Sequence, residues 1–208
     1  MATDFDDKAA TWDDDPAKVE RAAQAADAVR AAVPLKPDTR LLEYGAGTGL
    51  ASQALASSVG PITLTDPSEG MRNVMEAKVA QGEFPEGTRV WDLDLVTDPV
   101  PNENFDLILA VMALHHVTEL APVLRGFATL LSDGGHLCVV DLEEDVDGSF
   151  HRHSTDFDGH DGFGRADLAA RLVAEGFSDV AFTHCLDLEK DGATYPLFLA
   201  TATMPSPS

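Results

Sequence analysis

Three groups of residues in the 208-residue chain have types and spacing that do chemistry. The first is Glu43-Tyr44-Gly45-Ala46-Gly47-Thr48-Gly49, at the exit of a short apolar run. Glycines there let the backbone turn sharply and approach a ligand, because no Cβ intervenes. The second is Asp66-Pro67, which ends the apolar run that follows, where a carboxylate can accept both hydroxyls of a ribose. The third is a set of histidines near acids. His115-His116 follows Phe105–Ala110, Asp141 follows His136–Val140, and His151, His153 and His160 sit in an acidic stretch with Phe150, Phe157 and Phe163. Imidazole titrates near neutral pH and takes a proton without a large pKa shift, so His116 or His160 is the expected base. His115 and Asp141 are the further candidates. The His-x-His spacing matches no established ligand pattern, so no metal is expected.

The elements that must position these residues read as alternating strands and helices. Asp15-Pro16 is an N-cap with proline at the first helical position, and apolar residues follow at helical spacing to Val33. Strands are expected at 40–44, 61–65, 89–91 (running on towards Leu95), 105–110 and 136–140. Helices are expected at 50–59, 70–80, 120–131 and 165–175. Two strands without a helix between them, 179–183 and 195–199, finish the chain. Short two-sided apolar strands alternating with helices imply a parallel sheet covered on both faces. The expected fold is therefore α/β and Rossmann-like: a doubly wound, seven-stranded, mostly parallel sheet whose last strand is antiparallel. One domain is expected over 1–203, with a cap and first helix over 1–38 and a cofactor-binding core over 40–140. A lid loop over 141–164 and a frayed tail over 204–208 complete it. Phe5 and Trp12 in the cap, with His151, His153 and Phe157 in the lid, are candidate walls of an acceptor pocket.

The ligand's charge follows from the glycine loop. A dinucleotide fingerprint places its third glycine where this chain has Leu50, and the loop holds no arginine or lysine for phosphates. Glu43 repels a pyrophosphate and attracts an ammonium. A nucleoside with no phosphate and a cationic amino-acid tail, S-adenosylmethionine, fits those charges. The stretches 41–50, 64–71, 94–95, 105–117 and 131–137 resemble the class I S-adenosylmethionine-dependent methyltransferases, in the branch of the ubiquinone/menaquinone-biosynthesis enzymes. The resemblance covers residues 40–140. It implies that Gly45, Ala46, Gly47 and Gly49 line the methionine and ribose, with Glu43 near the amino group. It implies that Asp66 and Pro67 border the ribose and that Met71 packs near the adenine. Asp94 would accept the adenine amino hydrogen, with Asp92 as runner-up. The Leu95 N–H would meet a ring nitrogen, and Ala110 would offer its carbonyl to the ammonium. A non-catalytic binding protein on the same fold is the alternative, and a nicotinamide-dependent oxidoreductase is disfavoured by Leu50 and Glu43.

Composition bounds the partners. With 14 Lys+Arg against 36 Asp+Glu the net charge is −22, which repels phosphate backbones and anionic lipids. A small-molecule acceptor is expected, not nucleic acid or a membrane. Cys138 and Cys185 lie in apolar runs and read as buried thiols of a reducing, cytoplasmic protein.

Overall fold

Strands that are apolar along their whole length must be covered on both faces. The computed structural model, which describes residues 2–152 and 157–206, shows how this chain covers them. Strands β1 (Leu41–Tyr44) and β2 (Ile62–Thr65) are buried at every position. With β3 (Arg89–Trp91), β4 (Phe105–Val111), β5 (Leu131–Leu142), β6 (Ser178–Lys190) and β7 (Ala193–Thr203) they form one sheet in the order β3-β2-β1-β4-β5-β7-β6. The first five strands are parallel, and β7 runs antiparallel to both β5 and β6.

Alternate strand residues feed two cores. Leu41, Leu107 and Leu109 pack with α2 (Pro16–Ala32) and α3 (Leu50–Leu55) on one face. Leu42, Ile108 and Val139 pack with α5 (Leu120–Leu130) and α6 (Arg165–Ala174) on the other. Asp15 caps α2 by accepting the Ala17 N–H at 3.0 Å, as its sequence indicates. Ser68 caps α4 (Glu69–Ala80) through the Met71 N–H at 3.2 Å. Strand order reverses between β1 and β4, so their carboxyl ends open a crevice where ligands bind in such sheets. No described helix is long and apolar enough to cross a membrane.

Several expectations are corrected. The last strand, β7, is antiparallel as expected, but it does not take the sheet edge next to β6: it lies between β5 and β6, with Leu197–Ala200 buried while β6 alternates between exposed and half-buried positions. Strand β3 stops at Trp91, since Asp94 folds the next residues into a turn by accepting the Val96 N–H at 2.9 Å. Helix α3 ends at Leu55, and Ser58 N–H closes a turn onto its carbonyl. Met204, assigned to a frayed tail, exchanges backbone hydrogen bonds with Gly134 and Gly135. The acidic N-terminus, expected as a cap with no helix or strand assigned before Asp15, forms α1 (Ala2–Ala9). A helix this short is marginal alone and exists through its contacts: Asp6 accepts from Ser68 Oγ at 2.5 Å and from Gly70 N–H at 2.8 Å.

Gly70 is what lets α1 come so close, since a methyl group there would lie 2.7 Å from Asp6 Cα. Gly→Ala inside a helix ordinarily gains about 1 kcal/mol. Gly70→Ala is expected to reverse that sign, lowering Tm and speeding amide exchange over residues 5–9 while the sheet stays protected. A raised Tm with α1 still protected would show that α1 is not docked through Gly70.

Candidate functional site

The glycine loop leaves β1 with Gly45, Gly47 and Gly49 all at positive φ, between 57° and 80°, a region side chains disfavour. Ala46 N–H bonds the Thr65 carbonyl at 2.8 Å, which ties the loop to β2. Glu43 is 2% exposed and accepts the Ser52 N–H at 3.0 Å. Burial pushes its carboxyl up to about 7, opposed by its hydrogen bonds with Ser52 and assisted by the charge of Asp66. Asp66, also buried, accepts Gly47 N–H at 2.8 Å through one oxygen and Ser68 N–H at 2.9 Å through the other. Burial raises its pKa as well. Each carboxylate oxygen keeps a second lone pair for a hydroxyl donor.

The adenine-side expectations meet a different arrangement. Leu95 N–H donates to the Tyr44 hydroxyl at 3.2 Å, and that hydroxyl lies 3.5 Å from Asp94 Oδ1. Tyr44, which the sequence did not single out, thus holds both groups that were expected to meet the base edge. Asp92 pairs with Arg72 at 3.0 Å, which gives it a structural partner. Arg72 also donates to the Asp66 and Pro67 carbonyls, bracing the turn after β2. Met71 is buried at the start of α4. Pairing of β1 with β4 ends at Glu43 and Leu109, so Ala110 is the first β4 residue beyond it, at the crevice.

The histidines gather at the carboxyl ends of β4 and β5. Asp141, fully buried, accepts from His115 Nδ1 at 2.6 Å and from the His115 and Leu142 N–H groups. A carboxylate only accepts, so Nδ1 carries the proton and Nε2 is the basic nitrogen. The His116 ring lies tilted against His115, 4.1 Å between centroids, and burial, then the neighbouring His115, pushes its pKa down to about 3. A nitrogen so hard to protonate is a weak proton acceptor at neutral pH, whereas His115 is the imidazole of the pair that is tied to a carboxylate. Burial also lowers His160, whose N–H bonds the His115 carbonyl at 2.7 Å. Gly159 lies against that same carbonyl, with no room for a Cβ. His151 and Phe157 stack at 3.5 Å, and His151 lies 5.4 Å from His115. His153 lies outside the described residues. Among those described, no three His, Cys, Asp or Glu side chains form a metal-binding group.

The N-terminal segment joins the two halves. Phe5 packs edge-on to His116 at 5.2 Å and to Trp12 at 5.9 Å. The Trp12 indole nitrogen lies 4.0 Å from where a Gly47 Cβ would stand. Asp13 bridges Thr48 Oγ1 and the buried Lys78, both at 2.5 Å, and Lys78 also donates to the Thr48 carbonyl. Lys78 is a further residue that sequence reasoning missed, because its partners lie far away in the chain.

A buried acid with a raised pKa destabilises the ligand-free fold as it ionises. Its stability contribution is full below about pH 4.5 and is lost as pH rises through about 7. Glu43→Gln is expected to match wild-type stability near pH 4 and to exceed it at pH 8, by up to about 3 kcal/mol. A difference that does not change with pH over this range would show that Glu43 ionises normally.

Residues 18–185 match the methyltransferase domain family. A polyketide synthase-nonribosomal peptide synthetase of Aspergillus clavatus is 32% identical over 114 residues, covering 52% of this chain and 3% of that protein. A ubiquinone/menaquinone biosynthesis C-methyltransferase UbiE of Ectopseudomonas mendocina is 26% identical over 113 residues, covering 53% of this chain and 44% of that one. The chain thus spans less than half the length of these curated relatives. A chain from the solved complex of the Haloferax volcanii Trm112 methyltransferase activator with its methyltransferase partner superposes with a TM-score of 0.78, at 18% identity and 97% coverage of both chains. The sheet order, the glycine loop and this match over most of the sequence agree: the chain belongs to the methyltransferase domain family, on the class I Rossmann-like fold.

Proposed function

We propose that this protein transfers the methyl group of S-adenosylmethionine to a small molecule, with His115 as the base and Asp141 as its orienting partner. The observation that carries the reading is the buried 2.6 Å contact between His115 Nδ1 and Asp141, at the crevice edge beside the glycine loop. The cofactor side fits on the chemistry of its residues. Glu43 is a buried carboxylate whose ionisation a ligand ammonium would favour, and Asp66 retains lone pairs for ribose hydroxyls. The glycines admit a ligand against the backbone, and Trp12 closes over them.

When bound, S-adenosylmethionine supplies an already activated methyl on a sulfonium. The chain's work is therefore position and a proton sink. His115 Nε2 takes the proton of the acceptor, and Asp141 stabilises the imidazolium through Nδ1–H. Phe5 and Phe157 exclude water around the histidines. The strongly acidic surface supports a small acceptor rather than a nucleic acid.

S-adenosylmethionine and S-adenosylhomocysteine are expected to raise Tm, by about 2.7 kcal/mol of stabilisation at a hundredfold excess over Kd, and NAD is not. Asp66→Ala should remove most of that shift. His115→Ala should leave the Kd for S-adenosylhomocysteine within a few-fold and cut turnover by about 10²–10⁴. An equal shift from NAD would overturn the cofactor assignment, and full activity of His115→Ala would overturn the base.

A further inference from the structure

The lid carries a second carboxylate–imidazole pair that this reaction scheme leaves unused. His151 Nδ1 lies 3.0 Å from Asp161 Oδ1, which fixes the proton on Nδ1 and leaves Nε2 as an acceptor. That Nε2 is buried, has no hydrogen-bond partner among the described residues, and belongs to a residue only 8% exposed. Buried polar atoms are almost always paired, so an orphan calls for a partner. Of the four orphaned side-chain atoms found among the described residues, three are imidazole nitrogens of this cluster, on His116, His151 and His160. Burial holds His151 below the usual imidazole range, so its Nε2 keeps a free lone pair at neutral pH.

The pair is held in place by the lid's backbone. The Asp161 carbonyl accepts the Asp145 N–H at 2.8 Å, and a methyl group at Gly148 would come 3.1 Å from the Asp161 carboxylate. The His151 ring stands 5.4 Å from His115, parallel to Phe157. Two imidazoles thus present acceptor nitrogens among flat, uncharged ring faces, with Phe5 closing the far side of His116.

We propose that His151–Asp161 anchors the methyl acceptor, taking a hydrogen bond from a hydroxyl adjacent to the one that His115 deprotonates. The acceptor is then a planar, uncharged molecule with neighbouring hydroxyls on unsaturated carbons, an o-diphenol or an enediol. This rests on His115–Asp141 being the base. One hydroxyl loses its proton to His115 Nε2, and its oxygen forms a bond to the methyl carbon. The carbon–sulfur bond breaks with its electron pair going to sulfur, so the products are a methyl ether and S-adenosylhomocysteine. The second hydroxyl keeps its proton, donated to His151 Nε2.

Catechol and phenol are suitable probes, with binding measured on the protein saturated with S-adenosylhomocysteine and methylation measured with S-adenosylmethionine. Wild type is expected to bind catechol at least tenfold more tightly than phenol. His151→Phe keeps the stack on Phe157 and loses the acceptor nitrogen, so the preference should fall below twofold. Its catechol KM should rise about tenfold with kcat within threefold, while Tm and the Kd for S-adenosylhomocysteine hold. His151→Gln, which retains an acceptor oxygen, should recover part of the preference. Equal or absent binding of the two probes to wild type, or a preference unchanged in His151→Phe, would overturn the anchor. So would one divalent metal per chain, retained by wild type and lost in His151→Phe. His115→Ala separates the two ideas: full methylation by it overturns the base, whereas loss of methylation with the catechol preference intact supports both.

Discussion

The carboxylate of Asp141 is the constraint around which the site is built. It is fully buried at the end of β5 and accepts three hydrogen bonds, two from His115 and one from the Leu142 N–H. A charge removed from water is tolerable only when its lone pairs are satisfied, and here the satisfaction comes mostly from a turn on the neighbouring strand. The bonds therefore fix where the His115 turn sits relative to β5. The lid in turn rests on that turn, since both the His160 N–H and the Gly159 backbone meet the His115 carbonyl. The His115 turn and the lid position share one anchor.

Acidity elsewhere in the chain has a local use that net charge conceals. Asp6 caps α4 from a different helix, Asp15 caps α2, Asp94 folds the turn after β3, and Asp145 accepts the Phe150 N–H at 2.7 Å in the lid. A short carboxylate reaches nearby backbone donors better than a longer one, so many of these aspartates act as turn and cap residues. The chain still carries a net charge of −22, which added salt screens.

Residues 40–140 were legible because their signals are local. Apolar runs specify buried strands, glycines mark the loop, and an acid at a strand end points to the crevice. His115 and Asp141 were visible as types, but their pairing was not, because it needs the register of β4 against β5. The same limit hid Lys78 against Asp13 and Tyr44 against Leu95, contacts between residues far apart in the chain. Helix α1 was illegible for another reason: its eight residues have little apolar content, and it is held by a foreign cap and a glycine. The place of β7 was misjudged because a hairpin at the chain's end fixes pairing with β6 but not which of the two strands meets β5.

Gly159 sets how this site can diversify. The lid docks at Gly159 on the His115 carbonyl and at Gly162 on the Glu143 carbonyl, both contacts that any side chain would break. Further backbone contacts hold the lid, with the Asp161 carbonyl accepting the Asp145 N–H and the Phe150 carbonyl accepting from Lys190, and the side chains at 151 and 157 take no part in any of them. Substitution at those two positions would reshape the ring surface beside His115 without touching the His115–Asp141 contact. The lid is in this sense clipped to the sheet edge through close backbone approaches that two glycines permit.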